Sequence, residues 1–560
     1  MIFRICDNSE HILYRWDIVV LRPLDRKDSK FQTSFDVTYY DSVGREHHFG
    51  AVKIGKKGMK EGKVWDSMPL EFTSLSGDYF SLGQDEDYYE HIVKLDKNWK
   101  NDFRNDFFQA MRDVAYDTKQ LDDNLEEAVM AQSLLVNIVA DDDEKNRKAV
   151  AKIKGQFNRM AEKGGDRLTE YHFTYTAPDP KNTAISPAVL EFDVYPESNP
   201  PTNVHAMIGR NGCGKTYLIR NMVQCLQDRE GPFGKFTYRE ASGESREFAN
   251  VVCIAFSPFD AFPEVDKKRR DLPAKFVGLN EKMLFPDDDS VIGKKKKDGK
   301  EKEKKNILIE AICNQFWDFL RNCMITPRRQ QLWKEAVDIL MTGFDEYESS
   351  LFGAVNDLMK EMSDRFDDDR FQKNKDVIMS LFRPLSSGHK VVLLTITSCV
   401  AEIEERSILF LDEPENHLHP PLLSALIRAL SDLLRKRNGV AIVSTHSPVV
   451  LQEVPKSCVW LLRRNGAIMS ADRLGVQTFG ASIGTLIDEV YKFEVTQTGF
   501  HNLLQEAIRQ LGEYDPNPRN REQIQSDYMK VSEIFKKQLG DEADLHLRTL
   551  LLLRRKGVNI

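Results

Sequence analysis

At 560 residues the chain is too long for one ordinary core, and roughly two to four domains are expected. It is 41% hydrophobic and 10% aromatic with a formal net charge of −8, which fits a well-packed globular protein and does not advertise nucleic-acid binding. There is no run of about 18 apolar residues for a membrane span, and MIFRICDNSEHILYRW lacks the basic flank and apolar core of a secretory signal, so a cytoplasmic protein is expected.

From the start to residue 65 the sequence predicts strands. WDIVVL, FDVTYY and FGAVKIG are rich in β-branched and aromatic residues and are punctuated by Gly and Asp. Residues 66–165 turn helical through FFQAMRDVAYD, LEEAVMAQSLLVNIVA and AVAKIKGQFNRMA. Within 166–265, strands return as YHFTYTA, VLEFDVYP and VHAMIG, then a helix, TYLIRNMVQCLQD, and an apolar strand, VVCIAFS. Residues 266–379 are expected to be mostly helical. Inside them Lys294–Lys305, KKKKDGKEKEKK, sets eight lysines against three acids and leaves the rest of the chain at about −13. That run reads as a solvated, disordered loop; an arm for a phosphate backbone is the other reading, and nucleic acid the partner it would admit. Across 380–481, VVLLTITSCVAEIEE predicts a helix, SILFLDE a buried strand, LLSALIRALSDLLRKR a helix and GVAIVST another buried strand. Residues 482–560 read mostly as helices. The eight cysteines are scattered with no CxxC pair, as free thiols of a reducing compartment would be. Short apolar strands alternating with helices imply an α/β fold whose mostly parallel sheet is covered on both faces, with ligands gathered at the carboxyl ends of the strands.

VHAMIGRNGCGKTYLIRNMV is a strand, a glycine-rich turn and a helix. The turn fits G-x-x-x-x-G-K-[ST] through Gly209, Gly214, Lys215 and Thr216, with Arg210, Asn211, Gly212 and Cys213 between. Glycines let backbone N–H groups wrap a phosphate, and the helix start adds unpaired donors and a positive dipole end. Lys215 is expected to reach the β/γ-phosphates of ATP, and the Thr216 hydroxyl to ligate Mg²⁺. SILFLDEPENHLHP ends a buried strand in two acids. Asp412 is placed to hold Mg²⁺, directly or through water, and Glu413 to orient and deprotonate the attacking water. His417 and His419 share the spacing of a metal pair, but no cysteine or third histidine is near and two prolines follow, so they read as loop and packing residues. GVAIVSTHSPVVL puts His446 just past the end of another strand, where an imidazole can hydrogen-bond a γ-phosphate. DEAD, Asp541–Asp544, follows no apolar strand and reads as a surface turn.

Taken together, these motifs resemble the ABC-type ATPase superfamily. Leu385-Ser386-Ser387-Gly388-His389 matches its LSxG-x signature, lies ahead of the acidic strand as in the superfamily, and ENHLHP falls at its D-loop. The resemblance implies that Ser386, Ser387 and Gly388 cap ATP held by a second copy, so that a head-to-head dimer, or a higher oligomer, sandwiches two ATP with Mg²⁺. It also implies that 1–65 are the N-terminal, antiparallel strands of the ATPase head, 66–165 a helical insertion, 166–265 the P-loop lobe, 266–379 a helical lobe, 380–481 the signature-to-switch part, and 482–560 a helical partner-binding region. One motif departs: no glutamine follows VVCIAFSPFDAF, which leaves Ser257, Asp260 or water for its place.

A transport ATPase fits poorly with some 200 residues ahead of the P-loop. A Rad50-like protein needs long heptad arms, and only about 170 residues without sustained heptads separate Thr216 from Leu385. DEPENHLHP with STHSP is similar to the RecF and overcoming-lysogenization-defect group, but no Toprim set of a Glu and a DxD follows His446. FGAVKIGKKGM, YFSLGQDEDYYE, NPPTNVHAMIGRNGCGKT and FGASIGTLIDEVYKFEVTQTGFHNLL are similar to the PtuA ATPases of Septu anti-phage systems, including retron-linked forms. That likeness implies a regulatory ATPase with an HNH nuclease partner and, in retron versions, a reverse transcriptase with its RNA–DNA product. A RecF-like repair ATPase and an ATP-stabilised scaffold with little turnover are the competing expectations.

Overall fold

The computed structural model describes residues 1–6, 16–24, 30–99, 102–136, 149–164, 168–179, 187–239, 248–256, 272–278, 297–341, 349–362, 367–416, 418–465, 468–491, 499–511, 521–535 and 540–551, apart from some positions within these ranges. Its strands are β1 (Ile2–Ile5), β2 (Ile18–Pro23), β3 (Phe31–Gln32), β4 (Ser34–Tyr40), β5 (Glu46–Lys56), β6 (Gly62–Lys63), β7 (Glu71–Phe72) and β8 (Tyr79–Gly83). Then come β9 (Tyr171–Thr176), β10 (Val189–Val194), β11 (Val204–Gly209), β12 (Lys235–Arg239), β13 (Val251–Ala255) and β14 (Ala274–Gly278). The last four are β15 (Ile408–Asp412), β16 (Val440–Thr445), β17 (Val459–Asn465) and β18 (Ile468–Arg473).

The central sheet runs β14-β13-β15-β16-β11-β17-β18. Every neighbouring pair is parallel except β17 with β18. Its middle strands are buried along their whole length, as a parallel sheet with two covered faces requires. The two-residue alternation sorts the side chains. Ala206, Ile208, Leu409, Leu411, Ala441 and Val443 enter one core, built with helices Lys297–Met324, Pro327–Leu340, Ser387–Glu402 and Pro420–Lys436. Met207, Ile408, Phe410, Val440 and Ile442 face the other, against helix Lys215–Gln227 and the antiparallel sheet β10-β9-β12. Helix Ser387–Glu402 is buried at Gly388 and throughout 390–401; of its buried hydroxyls, Thr397 Oγ1 accepts from Trp333 Nε1 at 3.0 Å, while Thr395 Oγ1 has no hydrogen-bond partner among the described residues.

Residues 1–65 are not strands of this head. They join β7 and β8 in a separate six-stranded sheet, β7-β1-β2-β4-β5-β8, with β3 and β6 as a short parallel pair beside it. The helices expected as an insertion, Glu86–Trp99 and Phe103–Met111 among them, close one core with that sheet, from Phe3 through Phe107 to Ala161. Strand pairing decides this, and pairing across such distances has no local signature. The antiparallel strands that do lie on the head are β9, β10 and β12, with β18 at the edge of its central sheet.

The two units meet at the amino ends of the parallel strands, where Glu404 precedes β15 and Arg437 precedes β16. Glu86 Oε1 lies 2.6 Å from Arg437 Nη1 and 3.2 Å from Lys152 Nζ. Lys152 also reaches Glu404 Oε2 at 3.2 Å, Arg329 reaches Glu404 Oε1 at 2.7 Å, and Arg159 reaches Glu405 Oε1 at 2.5 Å. Burial opposes ionisation of Glu404, but the cations Lys152, Arg329 and Arg437 outweigh it and hold its carboxyl below the usual range.

The lysine-rich run corrects another expectation. From Lys297 onward the backbone is the first part of helix Lys297–Met324, not a loop; residues 294–296 lie outside the described residues. Lys and Glu have high helix propensity, so a sequence too charged to bury can still be helical. After β18, helix Ile483–Tyr491 packs Leu486 and Val490 into the head core. Helices Gly499–Arg509 and Arg521–Ile534 build a small cluster of their own with Leu547, Leu550 and Leu551. Among the described residues, no helix is long and apolar enough to cross a membrane.

Candidate functional site

Because β16 lies between β11 and β15, the loops that follow these three strands emerge side by side. In register, Asp412 pairs with Ser444, and Thr445 with Ile208. The P-loop leaves β11 where there is no room for a side chain: a Cβ on Gly209 would sit 2.4 Å from the Leu462 carbonyl oxygen and 2.8 Å from Cys213 Sγ. Gly214 turns the chain at φ +101°, open to glycine, and starts helix Lys215–Gln227. Arg210, Asn211 and Gly212 are exposed and Cys213 is buried, which pushes its thiol above the ordinary range.

Buried Lys215 donates from Nζ to the Gly209 carbonyl at 3.1 Å and lies 3.9 Å from Glu413 Oε1. The Thr216 hydroxyl donates to Asp412 Oδ1 at 3.4 Å, and the Ser444 hydroxyl donates to the same oxygen. Hydroxyl and carboxylate oxygens meeting at a buried strand end form the hard donor set that Mg²⁺ takes. Glu413 leaves β15 in the left-handed region at φ +46°, rare for a non-glycine residue, with its N–H donated to the Ser444 carbonyl at 3.0 Å. Asn416 Nδ2 donates to Glu413 Oε2 at 3.4 Å.

His446 sits at the rim with its side chain 42% exposed, and its Nδ1 is 3.0 Å from Glu415 Oε1 and 3.9 Å from Glu413 Oε1. Glu415 also accepts from the His446 N–H at 2.6 Å and from Thr445 Oγ1 at 2.8 Å. From the other side, the Tyr491 hydroxyl donates to the His446 carbonyl at 2.7 Å. A cavity of about 590 Å³ adjoins the P-loop, lined among others by Arg210, Cys213, Leu461, Arg464 and Tyr491.

The structure therefore brings the P-loop, Asp412, Glu413 and His446 to one place. Ser386, Ser387 and Gly388 make their contacts elsewhere. Ser386 caps its own helix, accepting from the His389 N–H at 3.2 Å, Lys390 donates to the Leu385 carbonyl, and Arg383 pairs with Glu310 at 3.0 Å. Exposed Ser386 and Ser387 leave this loop presented to the outside. His419 accepts from the Leu422 N–H at 3.3 Å as a helix cap, and Asp544 is held by Tyr528 and Arg548. His417, Ser257 and Asp260 lie outside the described residues. Among those described, no group of three or more His, Cys, Asp or Glu is placed to hold a metal. Sequence reasoning passed over Glu415, Ser444 and Tyr491. The only local trace of Glu415 was a third acid two positions beyond Glu413.

Over 548 residues the chain is 34% identical to "Protein ea59" of Escherichia phage lambda, covering 95% of this chain and 94% of the relative. The chain belongs to the ea59 family. Residues 334–452 also match a family model described as "AAA domain, putative AbiEii toxin, Type IV TA system". That stretch of the ea59-type chain includes the signature, Asp412, Glu413 and His446. Among solved structures, an inward-facing putative metal-chelate type ABC transporter matches at 13% identity and TM-score 0.28, over 57% of this chain and 89% of that one. A nucleotide-free ATP-binding cassette from an ABC transporter matches at 15% and TM-score 0.26, over 58% of this chain and 96% of that one.

Proposed function

We propose that the chain binds and hydrolyses ATP, closing as a head-to-head dimer, and that this cycle regulates a partner nuclease. The observation that carries the reading is the convergence of Lys215, Thr216, Asp412, Glu413 and His446 at three adjacent strand ends. The turn Gly209–Gly214 wraps the phosphates with backbone N–H groups, and Lys215, here turned to the Gly209 carbonyl, swings to the β/γ-phosphates. Thr216 and Asp412 would hold Mg²⁺, which supplies charge neutralisation along the phosphate chain. Glu413, held by its backbone bond to Ser444, takes the proton of the attacking water. His446 contacts the γ-phosphate and registers its loss.

Exposed Ser386 and Ser387, with Gly388, complete the site of the second copy, which accounts for a signature loop that makes no use of its own P-loop. An associated HNH nuclease, a reverse transcriptase with its RNA–DNA product in retron-linked cases, and a role in anti-phage defence rest on the resemblance to Septu ATPases. That the relative "Protein ea59" comes from Escherichia phage lambda is compatible with such a role. The 482–560 helices are the partner-binding region on this reading. The deciding experiment is steady-state ATP hydrolysis by the purified chain, alone, with its co-encoded neighbours and with DNA. Turnover that only the protein neighbours change supports the reading. Turnover that DNA stimulates replaces it with repair, and tight ATP binding without turnover replaces it with a scaffold.

A further inference from the structure

Behind His446 the chain turns at once into a short helix, Pro448–Gln452, with Ser447 accepting from the Val449 N–H at 3.3 Å and a proline fixing the first turn. This segment is stitched at both ends to the stretch that leads out of the head. At one end the Tyr491 hydroxyl donates to the His446 carbonyl at 2.7 Å. At the other, Gln452 Nε2 donates to the Ala481 carbonyl at 2.6 Å, the Gly480 N–H to the Gln452 carbonyl at 3.0 Å, and the Thr478 hydroxyl to the Val454 carbonyl at 2.6 Å. Between these bonds Val449, Val450 and Leu451 share one core with Leu486 and Val490 of helix Ile483–Tyr491. We infer that Tyr491 is a positioning residue that couples the nucleotide site to the C-terminal helices. The inference rests on the ATPase reading, which supplies the nucleotide.

Main-chain acceptors make this grip independent of rotamers. A carbonyl moves only with its backbone, so a shift of His446 carries the Tyr491 hydroxyl along or breaks the bond. Close-packed segments fastened at both ends shift as one body rather than bend. Tyr491 closes its helix, and only residues 492–498 separate it from helix Gly499–Arg509, whose Leu504, Ala507 and Ile508 open the C-terminal cluster. ATP that holds His446 in one place thereby favours one setting of those helices. By linkage, a partner that grips the helices in that setting raises ATP affinity by the same factor. Neighbouring proteins thus gain a route to the site that touches neither the P-loop nor the signature loop.

Hydrogen exchange of the full chain, with and without ATP and Mg²⁺, reads the coupling. In the native protein ATP is expected to alter the protection of 446–454, 483–491 and 499–509 together. Tyr491→Phe deletes one hydroxyl and keeps the ring. It is expected to retain the ATP-induced change at 446–454 and to shrink the change across 483–509 by about 2–30-fold, the span by which residues between two sites alter their coupling. A merely structural loss would lower protection equally with and without ATP and leave the ATP-induced difference intact, and that result would overturn the inference. So would the absence of any change across 483–509 in a native protein that binds ATP by calorimetric titration. A native protein that binds no ATP in that titration would sink the ATPase reading and the coupling with it. Should Tyr491→Phe not fold, Gln452→Ala, which cuts the other end of the same seam, decides on the same readings.

Discussion

Glu413 occupies a backbone conformation that costs most side chains about 1 kcal/mol or more, and it does so between a strand and a proline. The turn points its carboxylate back across β16, within 3.9 Å of both Lys215 and His446, instead of along the strand. Glu413→Gln is expected to retain ATP binding and lose about 10²–10⁴-fold in hydrolysis, the range for a removed general base. Equilibrium binding beside a phosphate-release assay checks both halves, and native hydrolysis would remove Glu413 from the base role. Gly209 is constrained differently. A methyl there meets a main-chain oxygen at 2.4 Å, which cannot rotate away as a side-chain tip can. Gly209→Ala is therefore expected to displace the P-loop, abolish measurable ATP binding and cost about 1–3 kcal/mol of stability, the usual range for overpacking. Calorimetric titration with ATP and a thermal melt measure the two effects.

At the scale of elements, the legible parts were those whose burial is local. β11, β15 and β16 are mostly apolar runs because both their faces are covered, and each ends in a residue the proposed chemistry would use or lead into: the P-loop glycine, Asp412, and Thr445 ahead of His446. Edge elements carry no such imprint. β14 is half-exposed AKFVG, and β18 is IMSADR, antiparallel at the far edge, and neither reads as a strand from composition. The site was incomplete for a related reason. Glu415 and Tyr491 act on His446 from 31 and 45 positions away, so only the folded sheet shows what they hold. The signature helix, by contrast, was plain from LSSG followed by an apolar stretch. Gly388 is buried at its first turn, and on the proposed dimer reading an aspartate there would be set against the phosphate of the second copy's ATP. Gly388→Asp is expected to bind ATP normally and to fail to dimerise with it, as read by light scattering with and without ATP. ATP-driven dimers of that variant would remove the loop from the interface.

For the whole molecule, the mixed dimer is the sharper experiment. Lys215→Ala and Gly388→Asp chains combined make one composite site with both lesions and one with neither. Partial hydrolysis is expected to return on mixing two inactive proteins, and continued inactivity of a mixture that demonstrably forms heterodimers would contradict exchange of signature loops. At the amino ends of the parallel strands, away from the P-loop, the junction of the two units is equally specific. Glu86 and Arg437 are each only 3% exposed in their side chains, and Lys152, Arg329 and Glu404 close the network around them. Glu86→Ala leaves Lys152, Arg329 and Arg437 to share the single carboxylate of Glu404 and is expected to destabilise the protein by about 3–5 kcal/mol, as breaking buried pairs does. Denaturant unfolding of that variant measures it, and a change below about 1 kcal/mol would show that the network is solvated enough to tolerate the loss.

That junction has a consequence for descent. Residues 1–161 own a hydrophobic core separate from the head's, and a lineage could be expected to trade such a unit freely. The charges deny it that freedom. A chimera that takes its first 165 residues from a relative must import partners that match Arg329, Glu404 and Arg437, or change those three along with it. Positions 86, 152, 329, 404 and 437 are therefore expected to change together, although they lie up to 351 residues apart in the chain.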